Sequence, residues 1–221
     1  MRMHFVLVCE GSSDEGLIPH LRSLLVDCGA NEATGVAPDY SRLPQAVSKD
    51  LESKIRAAFH LEGPADLLFV HRYADSRDPE PKYEEIRKGV EAAEYTEDWI
   101  GVVPVQEMEA WLLLLDERAI RRVSARPRGR ANLNLPFSRQ VETVADPKER
   151  LFEAIRIASE RRGRRLDQLR GRLLLLRAQL LSELKVGGLF MDVPAWRRLG
   201  DDTALKLASR TDNGPGLNRS D

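Results

Sequence analysis

The sequence predicts an α/β fold in which helices flank a parallel-stranded sheet and a helical extension follows at the C-terminus. Two observations predict it. Three short apolar runs have the length and continuity of strands that are covered on both faces. The first and third runs are followed by apolar residues at helical spacing, and the second run is followed by a predicted surface helix. Strands that alternate with helices in this way form parallel sheets. The three runs are residues 5–9, 67–71 and 100–105.

Four helices are predicted between and after these strands. The first occupies residues 12–28, where leucines recur at helical spacing, and Gly29 ends it. The second, residues 43–59, has apolar residues four apart and is broken by Gly63-Pro64. The third, residues 81–95, is predicted as a surface helix. The fourth, residues 106–115, carries an apolar face that includes Trp111.

The character of the chain changes after residue 120. A connector rich in Arg, Pro and Asn leads to Asp146-Pro147, a helix N-cap followed by Pro at the first helical position. We expect helices over residues 147–162 and 166–184 and a short helix near Pro194. The polar end, residues 211–221, is typical of a disordered tail. The predicted organisation is therefore an α/β domain (1–120), an arginine-rich helical region (121–200) and a tail (201–221).

The bulk composition is that of an ordinary globular protein. Of 221 residues, 42% are hydrophobic and 31% are charged. No apolar run approaches the roughly 20 residues that span a bilayer, and the start lacks the features of a signal peptide. We therefore expect a cytoplasmic protein without a membrane association. Cys9 and Cys28 suggest neither a disulfide framework nor a zinc site.

Charge divides the chain into two halves. Residues 1–116 have a net charge of −11, and residues 117–200 have a net charge of +11. One interpretation is that the halves attract each other. The other is that the basic half meets a polyanion while the acidic half holds cations. Charge alone leaves both open.

Acidic side chains follow each predicted strand. In an open parallel sheet, ligands bind at the carboxyl ends of the strands, so these groups should lie near one another. Clustered carboxylates repel unless a cation neutralises them, and Mg²⁺ prefers oxygen ligands. We therefore expect a Mg²⁺ site, with Mn²⁺ as an alternative ion. Its candidate ligands are Glu10, Asp75, Asp78, Glu107 and Glu109.

Several of these acids also have a purely structural interpretation. Asp14 and Glu15 are interpreted as helix N-terminal charges that the helix dipole favours. Asp75 also suits a turn, and Asp78 also suits the start of a helix. Glu107 and Glu109 stand two apart on a predicted helix, so only one of them can point at a given site.

Basic side chains predict contact with nucleic acid. Arginine matches phosphate oxygens in bidentate fashion and gives salt-dependent affinity. The alternative is a solvated helix face that the acidic half balances. Another arginine cluster comprises Arg161, Arg162, Arg164 and Arg165. The leucines at 173–176 and 180–181 are predicted to be exposed and could form an interface with a partner protein. The candidate nucleic-acid contacts are His71, Arg72, Arg126, Arg128 and Arg130.

Three segments carry a resemblance to a known family. Val-Cys-Glu-Gly-Ser-Ser-Asp at 8–14 resembles the first Toprim motif, and Phe-Val-His-Arg-Tyr-Ala-Asp at 69–75 resembles the second, a strand that leads into an Asp-x-Asp pair. Residues 104–113 resemble the Pro-Val…Glu-Ala-Trp-Leu-Leu segment of a bacterial Toprim-like family. The resemblance covers roughly residues 4–120 and implies a Toprim-like sheet.

The resemblance implies a Mg²⁺-dependent nuclease that cleaves phosphodiester bonds. In that family pattern Glu10 acts in proton transfer and Asp75 binds metal, so both are candidate catalytic residues. Members often occur beside ATPases in phage-defence settings, which implies a protein partner; self-association also remains open. One departure matters: Tyr73 occupies the position of the first acid of the Asp-x-Asp pair. The alternative is therefore a catalytically degenerate Toprim-like module that docks onto an ATPase or another defence partner.

Overall fold

The computed structural model describes residues 1–124, 129–185 and 187–212, with the backbone alone at 188, 189, 211 and 212. Its architecture is α/β, with one four-stranded, all-parallel sheet flanked by helices and followed by a C-terminal helical extension. The sheet order is β2-β1-β3-β4. The strands are β1 (Arg2–Val8), β2 (Glu32–Val36), β3 (Leu67–His71) and β4 (Trp99–Val102).

Nine helices are present in the described part of the chain, together with four short 3₁₀ segments. The first 3₁₀ segment, Ser12–Leu17, leads directly into the first helix; the others are Tyr40–Arg42, Ser138–Thr143 and Gly188–Asp192. The helices are α1 (Ile18–Asp27), α2 (Leu51–Glu62), α3 (Glu80–Ala92), α4 (Met108–Leu112), α5 (Glu117–Val123), α6 (Pro147–Ser159), α7 (Arg164–Arg170), α8 (Leu173–Glu183) and α9 (Pro194–Asp212).

The two faces of the sheet are covered by different helices. Side chains alternate along a strand, so Phe5 and Leu7 of β1 point to one face while Val6 and Val8 point to the other. The first face packs on α1, α4, α6, α8 and α9, and the second packs on α2 and α3. Because the C-terminal helices share the first core with α1, the arginine-rich region is built against the sheet rather than apart from it.

Strand β2 was absent from the predicted elements. Its sequence, Glu-Ala-Thr-Gly-Val, is short and contains glycine, which disfavours a strand. Pairing with β1 decides the conformation, and a Cβ at Gly35 would lie only 2.0 Å from the Phe5 ring. The glycine is therefore required where β2 crosses that ring.

Several helix boundaries differ from the predictions. Helix α2 begins at Leu51 rather than near residue 43, because Asp50 caps it by accepting a hydrogen bond from the Ser53 amide at 2.7 Å. The predicted helix over 166–184 is two helices, α7 and α8. The short helix expected near Pro194 continues to Asp212, so it includes every described residue of the predicted tail, 201–212. None of the described helices has both the length and the apolar character needed to cross a membrane.

Candidate functional site

The carboxylate of Glu10 stands just beyond β1 and reaches across to the chain that follows β3. Its Oε2 accepts a hydrogen bond from the Tyr73 amide at 3.2 Å and lies 4.0 Å from Nη1 of Arg72. Beneath it, Lys54 Nζ donates to the carbonyl oxygens of Cys9 and Glu10 at 3.1 and 2.9 Å. The parallel sheet thus brings Glu10 to the segment that contains Asp75.

Asp75 occupies a loop that is held by the loop after β4. The Asp75 amide donates to the Gln106 carbonyl, and the Gln106 amide donates to the Ser76 carbonyl, both at 3.2 Å. Asp75 and Gln106 both have positive φ, 54° and 65°, which is uncommon for residues other than glycine. The Asp75 side chain is exposed and lies 3.5 Å from Lys82 Nζ. Its carboxylate is therefore accessible, with a lysine as its neighbour.

The three remaining predicted metal ligands have different surroundings. Asp78 lies two residues before α3, and its Oδ1 accepts a hydrogen bond from the amide of Glu80, the first residue of that helix, at 3.0 Å. Glu109 is buried and its Oε1 lies 3.2 Å from Arg177 Nε. Burial and then the negative charges of Glu109 and other nearby acids, Asp75 among them, raise the pKa of Glu107. Glu107 and Glu109 therefore have different environments, as their two-residue spacing predicts.

A buried network lies next to these groups, and its centre is Asp14, which is only 1% exposed. The Tyr73 hydroxyl donates to Asp14 Oδ1 at 2.5 Å. Arg177 Nη2 donates to the same oxygen at 2.7 Å and to the Tyr73 hydroxyl at 2.6 Å. With Glu109 on the Arg177 Nε, these four side chains form one connected set, which we call the Arg177 network: Asp14, Tyr73, Glu109 and Arg177.

Close packing explains how α8 brings Arg177 to this position. A Cβ at Gly16 would lie 2.6 Å from the Leu181 side chain, so the glycine lets α8 approach the first 3₁₀ segment. The ring of buried His20 on α1 also contacts the Leu181 carbonyl oxygen through Nε2, at 2.8 Å. Arg177 lies one helical turn before Leu181 and therefore faces Asp14.

The electrostatics of the Arg177 network follow from burial and pairing. Burial alone would raise the pKa of Asp14, but His71, Tyr73 and Arg177 together hold it below its ordinary value. Burial lowers the pKa of His71 to about 4, so the imidazole is neutral at pH 7. At neutral pH the charge that stabilises the Asp14 carboxylate is therefore that of Arg177. Burial and the neighbouring Asp14 raise the pKa of Tyr73, which keeps its hydroxyl protonated as a donor.

Asp14 does lie in the first turn of a helical segment, as the sequence predicts, but its burial was not predicted. Its carboxylate faces the interior, although Oδ2 does also accept from the Gly11 amide at 3.3 Å. The available signal was its place in the Glu-Gly-Ser-Ser-Asp segment. Its partner Arg177 is far away in the sequence, and no local pattern links the two.

One of the five predicted nucleic-acid contacts needs correction, and the other four differ in whether they are buried, exposed or outside the described residues. His71 is fully buried, so it offers no surface to nucleic acid, and this expectation was wrong. Arg72 is largely buried and its Nε lies 3.2 Å from Glu85 Oε1. Arg130 is exposed, and Arg126 and Arg128 lie outside the described residues.

Attraction between the halves of the chain accounts for part of the charge division. Arg177, Arg198 and Arg210 of the C-terminal region pair with Asp14, Glu80 and Asp98 of the α/β domain. Arg162, Arg164 and Arg165 are exposed and have no ion pair within the described part of the chain. Attraction between the two halves of the chain therefore accounts for some arginines and leaves the cluster of Arg162, Arg164 and Arg165 unexplained.

The residues at the strand ends do not fit a pair of metal ions. In the resemblance described above, Tyr73 takes the position of the first acid of the Asp-x-Asp pair, and the guanidinium of Arg177 is already paired with both Asp14 and Glu109. A metal ion beside that guanidinium would be repelled by it. Among residues 1–124, 129–185 and 187–212, no three His, Cys, Asp or Glu side chains are grouped so that they could hold an ion. This arrangement does not test the single ion that the sequence predicts at Glu10 and Asp75.

Comparison with other proteins adds no identification. No protein family, no curated protein and no solved structure matches this chain. Function must therefore be argued from the site itself.

Proposed function

We propose that this chain is a catalytically degenerate Toprim-like binding module, which docks onto a protein partner rather than cleaving nucleic acid. One observation carries the proposal: a buried arginine, bound by Asp14, Tyr73 and Glu109, stands beside the strand ends where the family pattern requires metal ligands. The Toprim resemblance supplies the partner class, an ATPase or another component of a phage-defence complex.

Energetics support this choice. Removing one partner from a buried ion pair typically costs about 3–5 kcal/mol, because the other charge is left uncompensated. A metal that displaced Arg177 would have to overcome a loss of this order and would still lack the first acid at position 73. The pairing of Arg177 with Asp14 and Glu109 therefore opposes the binding of a metal ion by these two carboxylates.

A plasmid-nicking assay in Mg²⁺ or Mn²⁺ tests the proposal. We expect no nicking by the wild type that depends on Glu10 and Asp75, and therefore no difference between the wild type, Glu10→Gln and Asp75→Asn. Equal activity in all three would mark a contaminating nuclease. The variant Tyr73→Asp restores the missing acid. A gain of nicking in this variant would support the proposal that the tyrosine at position 73 accounts for the loss of catalysis.

The second candidate function is a metal-dependent nuclease, and one contact favours it. Glu10 Oε2 accepts a hydrogen bond from the amide of Tyr73, which precedes Asp75 by two residues in the sequence. Nicking by the wild type that both Glu10→Gln and Asp75→Asn abolish would establish this function and refute the binding-module proposal.

A further inference from the structure

A groove opens between the start of α6 and the junction of α7 with α8. It encloses a cavity of about 520 Å³. Phe152, Leu173 and Leu174 form its apolar lining, while Glu109 and Arg177 of the Arg177 network also border it. A pocket of this size can accept a bulky apolar side chain of a ligand.

The apolar lining of this groove continues onto the solvent-facing side of α8. Leu174 is 71% exposed and its neighbour Leu175 is 51% exposed. By contrast, Leu176, Leu180 and Leu181 are buried, so the prediction of exposed leucines is correct for part of α8 and wrong for these three. A small molecule would be enclosed by its pocket, whereas an apolar strip that runs out of the cavity suits an elongated partner.

Three charged side chains around the groove, Lys148, Arg172 and Asp146, have no ion pair in the part of the chain that the structure describes, and two of them are positive. Glu109 binds Arg177 and Glu149 lies 3.3 Å from Arg170, whereas Asp146 accepts only a backbone hydrogen bond, from the Glu149 amide at 2.8 Å. Lys148 lines the groove and Arg172 precedes Leu173; neither has an ion pair within the residues that the structure describes. Because two positive charges stand against one negative charge, the edge of the groove at Lys148 and Arg172 favours a partner that carries negative charge beside apolar side chains.

We propose that this groove binds an acidic amphipathic helix of a partner protein, with an apolar side chain in the cavity and carboxylates against Lys148 and Arg172. Helices that present apolar residues at i, i+3 and i+4 use such grooves. The proposal rests on the proposed binding function and names the partner chemistry. The occupant would lie directly against Arg177 and Glu109, next to the strand ends.

Fluorescence polarisation with a labelled synthetic peptide tests it. The probe peptide repeats Leu every three or four residues and has Glu at its other positions; a scrambled peptide of the same composition is the control. We expect saturable binding of the probe alone. Leu174→Glu should weaken it by about tenfold or more, since a buried leucine contributes roughly 1.5–3 kcal/mol. Leu205→Glu is the matched control, because Leu205 is also 71% exposed but lies on α9.

The charge component has its own variant. Arg172→Glu should weaken binding of the probe and reduce the dependence of binding on salt. The proposal is overturned by absence of probe binding, by equal binding of the scrambled peptide, or by equal effects of Leu174→Glu and Leu205→Glu. Displacement of the probe by a short DNA duplex, or a dimer of this chain that Leu174→Glu dissociates, would also overturn it by assigning the groove to another occupant.

The two proposals fail in distinguishable ways. Nicking that depends on Glu10 and Asp75 would refute the binding-module function whatever the peptide does. Failure of the peptide with no such nicking would refute the groove alone.

Discussion

The Arg177 network and the groove beside it share Arg177 and Glu109 but differ in how their charges are satisfied. In the Arg177 network, the guanidinium is buried and its charge is paired with Asp14 and Glu109, while it also donates a hydrogen bond to the Tyr73 hydroxyl. Outside, Leu174 and the charges of Lys148 and Arg172 face solvent. Asp14 and Glu109 are therefore paired inside the protein, whereas the charges without an ion pair lie at the surface of the groove. Four predictions test that division.

The largest effect is expected from Arg177→Met. It leaves Asp14 and Glu109 buried without their cation, and we expect the free energy of unfolding to fall by about 3–5 kcal/mol in urea denaturation. The matched control is Arg170→Met, because Arg170 is 63% exposed in its pair with Glu149 and should contribute about 1 kcal/mol or less. Similar losses in both variants would contradict the distinction between the buried and the exposed arginine.

A pH dependence is expected from His71, and its sign is fixed. The folded pKa is about 4, below the ordinary 6.5, so between these values the unfolded chain binds a proton that the folded chain does not. Stability from this residue is therefore complete above pH 6.5 and decreases as the pH falls towards 4, by about 3 kcal/mol. Urea denaturation across this range measures it.

The variant His71→Gln isolates this contribution, since His20 also has its pKa lowered by burial and acts in the same direction. We expect a smaller decrease in stability between pH 6.5 and 4 in His71→Gln than in the wild type. His60→Gln, a change at an exposed position on α2, should keep the wild-type profile. An unchanged profile in His71→Gln would show that the buried imidazole is not the titrating group.

A smaller effect is expected from Tyr73→Phe. It removes the hydroxyl that donates to Asp14 and accepts from Arg177, so we expect a loss of about 1–2 kcal/mol in unfolding free energy. Tyr83→Phe is the control, because the buried Tyr83 hydroxyl has no hydrogen-bond partner in the described residues and its removal should be neutral or stabilising. Equal losses would argue against a specific role for the Tyr73 hydroxyl.

The smallest effect on stability is expected at the groove. Leu174→Glu changes an exposed side chain, so the unfolding free energy should stay within about 0.5 kcal/mol of the wild type even though peptide binding is lost. Urea denaturation measures the first quantity and fluorescence polarisation the second. A large loss of stability would place Leu174 in the core and remove it from the proposed surface.

The sequence predicted the fold class from local patterns but could not supply the long-range pairings. The apolar runs of β1, β3 and β4 each contain enough signal to be recognised, and the parallel sheet follows from their alternation with helices. Strand β2 depends on its neighbour, since its own residues favour a loop as much as a strand.

The sequence did not predict the Arg177 network beside the strand ends. The sequence allowed the inference that the carboxyl ends of the parallel strands lie together. Glu10, after β1, does accept a hydrogen bond from the amide of Tyr73, after β3. Asp14 looked like a helix N-terminal charge because that role is local, whereas its pairing with Arg177 requires α8 to pack against the first 3₁₀ segment at Gly16. Such packing is a property of the whole fold and leaves no periodic signal.

We infer that a guanidinium, rather than a metal ion, is the counter-charge of Asp14 and Glu109 beside the strand ends. Electron paramagnetic resonance of Mn²⁺ titrated into the protein tests it most directly, because bound and free Mn²⁺ give different signals. We expect the wild type and Glu10→Gln to retain no Mn²⁺ at this site, and we expect Tyr73→Asp combined with Arg177→Met to create a binding site. Stoichiometric Mn²⁺ binding by the wild type that Glu10→Gln and Asp75→Asn abolish would contradict it.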